Sequence, residues 1–177
     1  MKLLLQLLIL LQVNLSYSEI DIHSLKKQFF NCLNSSENTD KLYTILLKEN
    51  TDKKPILKAY LGGVLALKAK HNSNPYYKLL YLKQGMKLMD ESIKIDENNV
   101  EIRFLRFSIG IKTPTMLGFS AHVVEDKNVI VKGLKNHKTI EQLGKSHVSF
   151  MVEDILRNGK CNNQEKIFLN KIKQQCK

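Results

Sequence analysis

The sequence predicts an all-α fold, an irregular helical bundle of about eight helices. Three observations carry this expectation. Apolar residues recur at three- and four-residue spacing along most of the chain. Leu, Ile and Lys abound, whereas Trp is absent and 3 Pro and 8 Gly supply too few turns for a many-stranded β fold. Asn, Ser, Thr, Asp and Pro stand where helix caps and breaks belong.

The first element is an address. Met1-Lys2 is a short basic start, Leu3 to Val13 is an apolar run, and Ser16 and Ser18 are the small residues at −3 and −1 of a cut before Glu19. This pattern predicts a cleaved signal peptide over residues 1–18. The run of about 11 residues is short of the roughly 20 that a membrane-spanning helix needs, and no later segment is apolar enough. No Cys stands at the cut, so no lipid anchor is indicated. Residues 19–177 are then expected as one helical domain, exported to the periplasm or secreted, with no transmembrane helix in the mature chain. Their length suffices for a substantial core.

The mature chain reads as helix after helix. His23 to Leu33 is short and amphipathic, with Leu25, Phe29, Cys32 and Leu33 on one side. A polar turn caps a second helix, about Thr39 to Lys48. Pro55 opens a third that runs to about Lys70, with Ile56, Tyr60, Val64 and Leu67 on one face. Gly62-Gly63 in its middle costs roughly 1 kcal/mol per residue against Ala, which points to another helix packed very close. Asn74 and Pro75 supply the cap and first residue of a long fourth helix to Ile95. Asp96 to Asn99 end it and cap a fifth, Val100 to Lys112, whose wide apolar arc marks it as central. Thr115 to Ser120 reads as a short helical turn. Residues 122–136 leave two readings open: the VIV run suits a strand, the flanking EDK and LKN a helix. Thr139 to Arg157 is expected as one helix carrying Ile140, Leu143, His147, Met151 and Ile155 on one stripe. Asn162 to Lys173 closes the chain.

Gly85 to Asn99 resembles the second helix and turn of a tetratricopeptide repeat. Gly85, Met89 and Ser92 take its small–bulky–small packing positions, and Ile93, Ile95 and the DENN run match the passage into the next repeat. Glu97 stands where that repeat has proline, Phe107 where the next has glycine, and no second copy follows. The resemblance implies one tetratricopeptide-like hairpin within an irregular domain, a contact scaffold and not a solenoid. More widely, NPYYKLLYLKQGMKLMDESIKID with NNVEIRFLRF is similar to a family of small exported helical proteins of Gram-negative bacteria, over about residues 55 to 135. No activity is attached to that family, so it implies fold and address and no chemistry.

The net charge is +11, almost all of it lysine; the arginines are Arg103, Arg106 and Arg157. Such lysines form a solvated surface or a cationic face toward anionic lipid or glycan of the cell envelope. Nucleic-acid readers add arginine forks and interleaved aromatics, a pattern missing here, so no nucleic-acid partner is expected. Cys32, Cys161 and Cys176 are an odd set. The intervening helix would hold Cys161 and Cys176 roughly 22 Å apart, too far for a bridge. Cys32 with Cys161 or Cys176 is the possible disulfide; three free thiols is the other reading. Zinc-protease, nucleophile-elbow, phosphate-loop, dinucleotide and EF-hand motifs are absent, and the histidines lack partners at ligand spacing. No catalytic residue, metal or cofactor is therefore assigned, and an enzyme is not expected. His147, on the inner stripe of its helix, is placed to meet a carboxylate from a neighbour.

Two groups stand out as candidate contact residues. Arg103 and Arg106 lie three apart on one helix face, where they either clamp the hairpin against Asp90, Glu91, Asp96 or Glu97 or seat an anion. Tyr76, Tyr77 and Tyr81 form core edge or an aromatic patch for an unidentified protein partner. The expected role is a protein–protein interaction scaffold in the cell envelope; the alternative is an envelope-associated binder of anionic lipid or glycan.

Overall fold

A computed structural model describes residues 20–176, and the signal-peptide segment with its cut before Glu19 lies outside the described residues. Among these residues there are nine α-helices and no strand. They are α1 (Ile22–Cys32), α2 (Ser36–Leu47), α3 (Pro55–His71), α4 (Pro75–Ile95), α5 (Val100–Lys112), α6 (Val123–Gly133), α7 (His137–Leu143), α8 (Lys145–Asn158) and α9 (Asn163–Gln175). No helix of the described residues is long and apolar enough to cross a membrane.

Caps fix most of the boundaries. Asp21 accepts from the backbone N–H groups of His23 and Ser24, Ser35 from Asn38, and Asn74 from Tyr76. Asn99 accepts from Glu101 and Ile102 and so sets α5 against the end of α4. Asn162 and Glu165 form a reciprocal capping box at α9.

The core lies in two clusters divided by α5. Ile102, Leu105 and Ile109 of α5 face α1–α4, with Leu25, Leu46, Tyr60, Val64 and Met89. Val100, Phe104 and Phe107 face α6–α9, with Ile130, Val148, Met151, Ile155 and Leu169. Ten of its thirteen residues are buried, so the wide apolar arc does belong to a central helix.

The glycines of α3 act as expected. A Cβ on Gly62 would stand 2.6 Å from the Gly85 carbonyl oxygen, and one on Gly85 would stand 2.5 Å from that of Gly62. Two backbones meet at this crossing, where only glycine fits. Met89 and Ser92 are buried on the same side of α4.

Three local expectations change or resolve. Residues 123–133 are helix, with Asp126, Ile130 and Val131 turned inward. The helix expected over Thr139 to Arg157 is broken in two. The Gly144 N–H, at φ 84°, donates to the carbonyls of Ile140 and Glu141 and ends α7, and α8 starts at the next residue, Lys145. Thr115 to Ser120 becomes two short 3-10 turns, Thr115–Leu117 and Phe119–His122, separated by Gly118 at φ 78°.

Candidate functional site

The arginines anchor α5 to α6. Arg106 donates from Nε to Asp126 Oδ2 at 2.8 Å and from Nη2 to Oδ1 at 2.7 Å, and its Nη1 reaches Asp90 Oδ1 at 2.8 Å. Arg103 donates from Nη1 to Asp126 Oδ1 at 2.9 Å and to Glu125, and from Nε to the Glu97 carbonyl at 2.8 Å. Arg103, Arg106 and Asp126 are all buried. The Arg103 hydrogen bond holds the Glu125 carboxyl below its ordinary range against the opposing effect of its partial burial. Of the carboxylates expected on the hairpin, Asp90 takes part and Glu97 offers its backbone. The main partners are Asp126 and Glu125, twenty residues away in sequence. Nε and Nη1 of Arg103 and all three nitrogens of Arg106 are engaged by the protein's own oxygens, so the pair forms a clamp between α5 and α6.

The three tyrosines do gather. Tyr76 and Tyr77 meet edge to face at 5.4 Å, Tyr77 and Tyr81 stack at 6.3 Å, and Tyr76 and Tyr77 are exposed on the first turns of α4. Lys68 Nζ lies over the Tyr43 and Tyr81 rings. The cysteines remain apart. Cys32 belongs to the first core cluster and Cys176 to the second, with Cys161 beside it. All three are free thiols, so the bridge from Cys32 to Cys161 or Cys176 is not made. Burial pushes the three thiols up from their ordinary value, which keeps them protonated and inert.

A cavity of about 700 Å³ lies between α1, α3, α4, α5 and α8. Phe29, Phe30 and Leu33 line it from α1, and Gly63, Ala66 and Leu67 from α3. Leu79 and Leu82 come from α4, Phe104, Leu105 and Ile109 from α5, and His147 and Phe150 from α8. Gly63 matters here because a Cβ at that position would stand 2.9 Å from the Phe29 ring.

The helices give the cavity a direction. At one end Glu101 ties three of them together. It accepts from Tyr60 Oη of α3, pairs with Lys26 Nζ of α1 at 2.9 Å, and lies 3.7 Å from His147 Nε2 of α8. Burial beside that carboxylate pushes the Tyr60 phenol far above its ordinary range. At the other end Lys70 donates to the Leu33 carbonyl, and Lys70, Pro75, Lys78, Lys112, Pro114 and Leu117 are exposed lining residues. From Tyr60 to Lys70 the α3 wall runs about 15 Å. The Glu101 end is the floor and the lysine end the mouth.

Apart from the lysines, polar side chains along the lining are few. Ser108 Oγ, His147 Nδ1 and His147 Nε2 are buried and make no hydrogen bond among the described residues. Phe30 and Phe104 meet the imidazole edge to face at 5.8 and 6.2 Å. Burial lowers the His147 pKa below 6.5; the Glu101 charge opposes this and the Lys26 charge adds to it. The ring is therefore neutral at pH 7. An unbonded buried polar atom is unfavourable by about 1–3 kcal/mol.

Sequence reasoning placed His147 beside a neighbour's carboxylate, and it stands so. It missed Ser108 and the cavity itself, because the lining residues carry the same three-four spacing as any core face. No group of three His, Cys, Asp or Glu suited to a metal occurs among the described residues. A scan against protein-family models finds no match for this chain, and neither the curated proteins nor the solved structures yield one.

Proposed function

We propose that this protein binds a lipophilic small molecule in the α1–α3–α4–α5–α8 cavity, as a binding protein and not as an enzyme. The observation that carries this reading is the chemistry of the wall: mostly apolar side chains around about 700 Å³, with few polar residues among them. That volume is within the range of small-molecule sites, which run roughly 300–1,000 Å³ and combine apolar walls with a few placed polar groups. A sealed void of this size would be unfavourable by on the order of 17 kcal/mol at about 24 cal/mol per Å³, more than the whole stability of an ordinary domain. An open but empty cavity leaves apolar wall in water. An apolar ligand removes that wall from water and gains roughly 25 cal/mol per Å².

The test is a titration of the mature protein with the neutral apolar dye Nile red. Saturable binding with blue-shifted emission is expected, and it should be lost in Ala66→Phe, which fills the cavity from α3. Unfolding of that variant by circular dichroism separates loss of the site from loss of the fold. Dye binding of equal strength in wild type and a folded Ala66→Phe protein would sink the reading.

The exposed Tyr76–Tyr77 pair supports a second reading, the scaffold expected from the sequence. Aromatic anchors are common centres of protein interfaces. Crosslinking at Tyr76 in an envelope extract, compared with a Tyr76→Ser and Tyr77→Ser variant, tests it; identical crosslinks in both remove it. The resemblance of Gly85 to Asn99 to a tetratricopeptide repeat favours the same surface. Either role would operate outside the cytoplasm if residues 1–18 are a cleaved signal, for which mass spectrometry of the protein's N-terminus in the periplasmic fraction is the check.

A further inference from the structure

We infer that the occupant of the cavity is a single-chain amphiphile with an anionic head group, its head at the lysine mouth and its tail toward the Glu101 floor. This rests on the cavity reading above and adds the ligand's charge and orientation.

The charge pattern points to an anion. The charged residues that line the cavity are Lys70, Lys78 and Lys112, and no Asp or Glu is among the lining residues. They come from three helices, α3, α4 and α5, and stand together at the open end. Lys78 is exposed and makes no ion pair with a described acid. Lys70 holds the Leu33 carbonyl, which leaves two of its three donors unused. Lys112 is shared with Asp154 at 2.8 Å, so the mouth keeps a net positive charge.

The remaining geometry sets the shape. Below the lysines the lining is mostly apolar along a path of about 15 Å. The floor is closed by Glu101, whose oxygens are already engaged by Tyr60 and Lys26. Glu101 and Lys26 cancel in charge there, so the unbalanced positive charge lies at the mouth and the reverse orientation gains no ion pair. A carboxylate and a phosphate monoester share the required chemistry.

Displacement of Nile red from the mature protein tests this with four probes of one tail length: laurate, dodecyl phosphate, 1-dodecanol and dodecyltrimethylammonium. One of the two anions should displace the dye about tenfold more tightly than the alcohol, with the cation weakest. Comparison of laurate with dodecyl phosphate identifies the head group. The advantage should shrink with added salt and in a Lys70→Gln, Lys78→Gln, Lys112→Gln protein. Equal displacement by anion and alcohol, or an anion preference that survives loss of all three lysines, overturns the head-group inference and leaves the cavity reading standing. Failure of Nile red itself to bind overturns both.

Discussion

Asp126→Ala should be among the most damaging single substitutions in this chain. Asp126 is fully buried and receives three hydrogen bonds, two from Arg106 and one from Arg103. Its removal leaves two buried guanidiniums to the remaining partners, Asp90, Glu125 and the Glu97 carbonyl. Breaking a buried pair from one side typically costs about 3–5 kcal/mol. Asp90 and Glu125 are partly exposed and still balance the two positive charges, so the lower end, about 3 kcal/mol, is expected. With a urea slope of about 1.5 kcal/mol per molar, the unfolding midpoint falls by about 2 M. Asp126→Asn keeps two acceptor lone pairs and should lose roughly half as much. Urea unfolding followed by circular dichroism at pH 7 is the assay. A midpoint shift for Asp126→Ala no larger than that of an exposed Asp40→Ala control would refute the clamp, and with it the argument that α5 and α6 are held by charge.

Four further outcomes follow from the same geometry. Gly85→Ala sets a Cβ against the Gly62 carbonyl oxygen, where no side chain can give way; a loss of about 2 kcal/mol or more in urea unfolding is expected, and a neutral change would mean the α3–α4 crossing is looser than described. Gly144→Ala meets nothing in space but must hold φ 84°, so a loss of about 1 kcal/mol is expected from backbone strain alone, by thermal unfolding. Ser108→Ala removes an unbonded buried hydroxyl and should stabilise the ligand-free protein by about 1 kcal/mol; destabilisation would show that Ser108 has a partner. For His147, the unfolded chain takes up a proton near 6.5 and the folded chain only at lower pH, so stability falls as pH drops below about 6.5. His147→Phe should flatten that part of the urea-midpoint profile between pH 5 and 7, and an unchanged profile would place the titration elsewhere.

The helices were legible because their signals are local. Asn74-Pro75 and the run ending at Asn99 each state a boundary in a few residues, and both caps are made as read. Gly62-Gly63 announced a close approach, since nothing else favours two glycines in mid-helix. The break at Gly144 was hidden by the stripe Ile140, Leu143, His147, Met151, Ile155, which runs through it in register; periodicity reports a face, and a kink leaves the face intact. The partners of Arg103 and Arg106 were hidden by distance along the chain. Asp126 is as acidic as Asp90, and only packing brings it to the arginines. The cavity left no mark at all, because a wall residue and a core residue obey the same pattern until a neighbour is missing.

The rigid points of the structure also explain why that neighbour can be missing. The Gly62–Gly85 crossing locks α3 to α4 by backbone contact, and the Arg103–Arg106–Asp126 clamp locks α5 to α6 from the opposite side. At the floor, Glu101 joins α1, α3 and α5 through Lys26 and Tyr60. The walls cannot collapse into the space without breaking a buried charge pair or driving two backbones together, and each of those is unfavourable by more than the gain from closing a few apolar contacts. At the mouth the cross-helix bonds are an exposed one from Lys70 to Leu33 and the Lys112–Asp154 pair. The floor is thus held by buried cross-helix bonds and the lysine end by bonds from exposed lysines. A ligand that enters by that end must bring its charge to the lysines last, which is the order in which an anionic amphiphile, tail first, would enter.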